Sequence, residues 1–142
     1  MSVPLDPQLE SDSAFILDLE LCEVRLNHNA AFPWILLIPK GEGISEIIDL
    51  TPSSQPVLMS EIVLASQVMQ RLFQPTKLNI ASLGNIVPQL HVHIVARYDT
   101  DKAWPHPIWN SGINIAYDPK AKRTRITQLK NGFLHLKHPK SG

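Results

Sequence analysis

The chain has 142 residues, 44% hydrophobic and 18% charged, with thirteen bases balancing thirteen acids and a single cysteine, Cys22. That size and balance suit one globular domain with a core of its own. They exclude an intrachain disulfide and argue against a strongly basic nucleic-acid binder.

Residues 1–13 hold two prolines and several polar side chains and read as an irregular arm. The opening MSVPLDPQLESD lacks the basic and apolar regions of a signal peptide. The apolar run WILLI at 34–38 is far too short to span a membrane. The expectation is a soluble, cytoplasmic protein that makes no use of membranes. Charge is uneven: the first 23 residues carry six acids and no base, and from Lys120 onward there are seven bases and no acid. No stacking platform or known binding motif accompanies the basic tail, so a tail lying on an acidic surface of its own protein, or partly solvated, is favoured over nucleic-acid binding.

From Leu19 to Leu26, Cys22, Val24 and Leu26 alternate with Glu23 and Arg25, as in a half-buried strand. NHNAAFP at 27–33 is turn chemistry, and WILLIP at 34–39 is a strand buried on both faces. Together they predict an antiparallel hairpin. Leu58, Ile62, Ala65, Met69, Leu72 and Phe73 then follow the spacing of an amphipathic helix, which Pro75 ends. Thr51 or a nearby serine is placed to cap it, with Pro52 or Pro56 in its first turn. KLNIAS at 77–82, the turn LGN at 83–85 and QLHVHIVARY at 89–98 predict a second hairpin. DTDKAWPHPIW is loop, and the tail beyond Ile113 has room for a short helix around 119–130. The fold class expected is α+β: a five-stranded antiparallel sheet with one main helix packed on it. One domain is expected over 1–142, its core about 14–112, with 113–142 a basic C-terminal extension.

Two histidines interrupt the apolar run VPQLHVHIVAR. In a strand, Gln89, His91 and His93 share one face, with successive members about 7 Å apart at the backbone, and Leu90, Val92, Ile94 and Ala96 share the other. Three readings compete. The histidines lie on a solvated sheet face; or they hold a metal, for which His28, His106, Asp99 and Asp101 offer no diagnostic third ligand; or one is a nucleophile. Neutral imidazole attacks phosphorus well and leaves well, provided one ring nitrogen is free and the other is held as a donor.

QLHVHIV closely resembles the signature of the histidine triad (HIT) family, in which three histidines alternate with apolar residues. WILLIPK resembles that family's strand ending in Ile-Pro-Lys, and LGNIVPQLHVHIVAR sits where the family has its phosphate loop. The resemblance covers about residues 19–109. It implies a nucleotide hydrolase or transferase in which His91 is the nucleophile and His93 binds phosphate and helps set protonation. Gln89 matches the first histidine and is a departure: it can hydrogen-bond but cannot transfer a proton near neutral pH. Asn27 matches a ribose-binding position, and Asn85 a position contacting phosphates or the leaving group. Ile86 stands where some members place a phosphate-binding hydroxyl. Trp104 and Trp109 are candidates to wall a base pocket or to close the core.

The resulting expectation is cleavage of a nucleoside phosphate ester, anhydride or phosphoramidate, such as a dinucleoside polyphosphate or an AMP conjugate, with no cofactor or metal. The alternative is a nucleotide-binding module whose turnover is lost through Gln89. The resemblance also implies a homodimer with a ten-stranded sheet, to which Phe133, Leu134 and Leu136 of the tail would contribute.

Overall fold

The computed structural model describes residues 4–137. Lys140 of the basic tail, and residues 1–3 of the arm, lie outside the described residues. Five strands form one antiparallel sheet: β1 (Ser13–Asp18), β2 (Cys22–Asn27), β3 (Trp34–Pro39), β4 (Lys77–Ala81) and β5 (Val92–Arg97). Their order across the sheet is β1-β2-β3-β5-β4, so β3 and β5 are neighbours near its middle.

Helix α1 (Pro7–Asp12) corrects the reading of residues 1–13 as irregular. Asp6 caps it by accepting the Gln8 N–H at 2.8 Å, and Pro7 sits in its first turn, where the missing N–H costs nothing. β1 follows at once and was not expected. Its register shifts between Phe15 and Leu17, which breaks the alternation that would have marked it.

Helix α2 (Ser54–Phe73) buries Leu58, Ala65, Val68 and Met69 against one face of the sheet, and stops at Gln74, which is left-handed with φ 46°. Helix α3 (Pro119–Lys137) runs further than the expected 119–130 and packs beside α2. Ile35, Leu37, Val92, Ile94 and Ala96 project from the sheet into this helical layer. Phe133 is fully buried there, and Leu136 packs against the same core. This corrects the expectation that Phe133 and Leu136 are free for a partner; Leu134, 43% exposed, still faces outward.

Glu61 of α2 is buried, yet its carboxylate is fully employed. It accepts the backbone N–H groups of Leu21 and Cys22 at 2.9 and 2.8 Å, tying the helix to the β1–β2 turn. Among the described residues no helix is long and apolar enough to cross a membrane.

Candidate functional site

The face of the sheet away from α2 carries the polar residues. On β5 the side chains of His93, Val95 and Arg97 alternate with the core residues Val92, Ile94 and Ala96. His93 lies opposite Leu36 of β3, and Trp34 lies opposite Val95. That places Trp34 diagonally across from His93, within reach of a long side chain. β5 begins only at Val92, so His91 precedes the strand rather than alternating within it. Both histidines are 7% exposed. Their rings are 5.0 Å apart between centroids and nearly perpendicular, at 72°. They line one cavity of about 640 Å³, together with Asn27, Trp34, Asn85 and Trp109.

The two rings are held in opposite protonation patterns. His91 Nδ1 is 2.6 Å from the backbone carbonyl oxygen of Gln89. A carbonyl only accepts, so Nδ1 carries a proton, and in neutral His91 Nε2 keeps its lone pair. His93 Nδ1 instead accepts from the indole N–H of Trp34 at 3.0 Å. An indole nitrogen only donates, so in neutral His93 the proton sits on Nε2. Burial, and then the neighbouring His91, pull the His93 pKa down from 6.5 to about 4. The site therefore offers an unprotonated nitrogen on one ring and an N–H on the other.

Aromatic rings and a loop enclose the cavity. Trp109 packs edge-on against both Trp34 and His93, with centroids 6.2 and 5.3 Å apart. The segment that carries it is pinned by Asn29, whose amide donates to the Ile113 carbonyl at 2.8 Å and whose oxygen accepts the Ala31 and Ile115 N–H groups. Asn27 accepts the Asn29 N–H at 2.8 Å, so one of its polar atoms is committed to the turn. Opposite, Gly84 turns the chain with φ 74°, a conformation that glycine adopts without strain. Asn85 is exposed there, and Ile86 is 91% exposed.

Gln89 is not brought into this cavity. It precedes β5, and its side-chain oxygen accepts the Asp6 N–H at 2.8 Å. The alternation expected from residue 89 fails because the chain is not yet a strand there. The contact holds α1 against the site: Leu9 of α1 is 4% exposed, packs with Leu36, Ile38 and Val87, and lines the cavity beside Asp12. Trp104 is also absent from the cavity and packs under the Arg97 guanidinium at 5.7 Å. His28 sits in the β2–β3 turn with its N–H bonded to the Asp12 carbonyl, and His106 is an exposed loop residue.

Sequence reasoning missed Trp34, Asn29 and the α1 wall. Trp34 was within reach, since alternation along WILLIP places it on the face of Leu36. Two arginines share the site's face of the sheet and are fully occupied. Arg25 binds Glu23 and Ser13. Arg97 makes a paired contact with Asp101 and also binds Asn79 and the His106 carbonyl.

A family model described as the HIT domain matches residues 8–100. The fold closely matches a histidine triad protein from Bradyrhizobium japonicum, at 40% identity and a TM-score of 0.90, covering 94% of this chain and 99% of that one. A histidine triad protein from Marinobacter aquaeolei is 34% identical with a TM-score of 0.91, covering 96% and 99%. A 72-residue stretch is 32% identical to the asymmetrical bis(5'-nucleosyl)-tetraphosphatase of Schizosaccharomyces pombe. That match takes in 47% of this chain and 39% of the enzyme, less than half the length of either.

Proposed function

The chain belongs to the HIT domain family, and from that premise we propose that it is a nucleotidyl hydrolase or transferase with His91 as its nucleophile. One observation carries the reading. The bond from His91 Nδ1–H to the Gln89 carbonyl selects the neutral tautomer whose Nε2 lone pair is free, in a ring that lines the cavity. In the proposed reaction Nε2 attacks the α-phosphorus of a nucleoside phosphate ester, anhydride or phosphoramidate. The bond to the leaving group breaks, and its electron pair departs with that group, which gains a proton from solvent. Water then attacks the nucleotidyl-histidine. The P–N bond breaks, its electrons return to Nε2, and a nucleoside monophosphate is released.

His93 Nε2–H and the Asn85 side chain supply donors for the phosphate oxygens, and such fixed donors stabilise developing charge without reorganising. Asn27 is proposed to meet the ribose, with Trp109 and Trp34 as walls for the nucleoside. Gln89 contributes its carbonyl to His91, and its side chain holds α1 against the site rather than reaching the phosphate.

The test is AMP release from adenosine phosphoramidate and from diadenosine polyphosphates, by the native protein and by His91→Ala. Release that disappears in the variant supports the reading, as does an acid-labile nucleotide adduct on His91. Binding of AMP with no release from any of these compounds would replace it with a nucleotide-binding module.

A homodimer is proposed as well. β4 is an edge strand, with Ile80 48% exposed on it and Leu83 and Ile86 exposed just beyond. Exposed apolar edges are usually covered. Sedimentation at micromolar concentration checks this, and a monomer there overturns it.

A further inference from the structure

We propose that Trp34 is a positioning residue that locks His93 as an uncharged Nε2–H donor, so that the site binds phosphate beside its nucleophile without a histidinium. This deepens the reading of the site given above. His93 was expected to help set protonation, and the geometry restricts how it can do so. The imidazolium form carries N–H on both nitrogens. Protonating His93 at Nδ1 would set that N–H against the indole N–H 3.0 Å away, two donors with no acceptor between them.

Trp34 cannot relieve the conflict by exchanging roles, because indole has no acceptor to offer. Nor can it swing away freely. It is packed edge-on against Trp109 and tilted against His93, with centroids 6.2 and 5.6 Å apart.

Among the described residues, the groups around His93 supply no anion at hydrogen-bond distance that would favour the charged ring. From its own strand and the lead-in, His91 is like-charged when protonated, and Arg97 is taken up by Asp101. From β2, Arg25 is taken up by Glu23. From α1, Asp12 is the one carboxylate lining the cavity, and it accepts from the Gln8 side chain. From the loop above, Asn110, Ser111 and Asn114 carry no charge.

The arrangement has a chemical consequence. A cation 5.0 Å from His91 would draw the nucleophile's lone pair down in basicity and weaken its attack. A neutral donor stabilises the phosphate oxygens and spares the nucleophile. Trp34 and the Gln89 carbonyl thus assign the two neutral rings opposite tautomers, one a donor and the other a nucleophile.

The experiment is ring-nitrogen NMR of the full chain, ¹⁵N-labelled, titrated through the acid range. In the native protein the expected pattern is His93 unprotonated at Nδ1 and protonated at Nε2, with His91 the reverse. Trp34→Phe keeps an aromatic ring but removes the donor. In it, His93 is expected to populate both tautomers and to titrate at least about one pH unit higher, while His91 keeps its pattern. Trp109→Phe is the control: its ring also packs on His93, but its buried Nε1 has no hydrogen-bond partner among the described residues, so His93 should not change.

A His93 proton on Nδ1 in the native protein overturns the proposal. So does the same tautomer and titration in native protein and Trp34→Phe. Should Trp34→Phe fail to fold, the native spectrum alone decides. The spectra need no turnover, so the nucleotidyl-transfer reading can fail while this one stands. Where turnover is measured, the pH profile of kcat for Trp34→Phe is expected to acquire an acid limb that the native profile lacks.

Discussion

The Gln89 carbonyl oxygen and His91 Nδ1 are 2.6 Å apart, so a residue outside the cavity sets the tautomer of the ring inside it. The bond uses a backbone carbonyl, which every residue type carries, so no substitution at residue 89 deletes the acceptor. Replacing His91 removes the nucleophile itself. His91→Ala is expected to lower nucleotide release by on the order of 10⁴-fold while AMP still binds. Release assays with equilibrium binding on the same preparation check both halves. Retained turnover would move the nucleophile elsewhere.

Gln89→Ala leaves that carbonyl but removes the acceptor for the Asp6 N–H. The expected cost is about 1 kcal/mol, the net value of an ordinary hydrogen bond. The loss should be local, with faster amide exchange over residues 6–12 and a KM raised more than kcat is lowered. Gln89→His is expected not to raise activity, because the side chain at this position faces α1. A gain of tenfold or more in kcat would show that the position acts on the phosphate after all.

His93 also ties stability to pH. Its pKa is about 4 in the fold against 6.5 for an unhindered histidine, so between those values the unfolded chain binds the extra proton and the native one does not. Stability therefore holds above pH 6.5, falls as pH drops through the window, and flattens below about 4. At 1.36 kcal/mol per pH unit, the full contribution is roughly 3 kcal/mol. His28, also lowered, by burial and then by Lys122, adds to the slope in the same direction. Urea unfolding at pH 7.5 and 4.5 should show the loss, and His93→Gln should reduce it markedly. An unchanged slope in the variant would assign the effect elsewhere.

Asn29→Ala cuts the side-chain ties to Ala31, Ile113 and Ile115 while leaving the backbone bond from Ala30 to Ile115. The segment carrying Trp109, Asn110 and Asn114 should loosen. Limited proteolysis within 110–116 is expected to speed up, and KM to rise several-fold with kcat less affected. Equal protection in variant and native protein would mean that packing alone, such as that of Ile108 and Trp109, holds the segment.

Glu61 makes no contact with the cavity, so its removal should cost stability alone. Glu61→Ala leaves two backbone N–H groups without their acceptor and empties a buried volume. A loss of roughly 3 kcal/mol is expected in denaturant unfolding. Turnover per folded molecule should be unchanged.

The central strands were legible because alternation survives in them. Cys22, Val24 and Leu26 face the helices, as do Ile35 and Leu37, and α2 showed through its 3-4 spacing. β1 escaped because the register shift at Phe15–Leu17 spoils the two-residue period. α1 escaped because six residues are too few for a helical period, leaving only Asp6 followed by Pro7 as a signal. Of the site residues named from sequence, His91, His93, Asn27 and Asn85 line one cavity. Gln89 was placed with them by extending the strand three residues too far. Arg25 looked solvent-facing from its alternation with Val24 but is 8% exposed, with its guanidinium bound to Ser13 of the neighbouring strand and to Glu23.

Cys22 is the chain's one thiol, it is fully buried, and its pKa is raised, first by burial and then by the Glu61 carboxylate beside it. A thiol in that position is protonated at neutral pH and shielded from reagents, so it is chemically silent until the β1–β2 turn comes away from α2. Each alkylated molecule thus records one opening, and the labelling rate clocks the breathing of the fold beneath the site without any added probe.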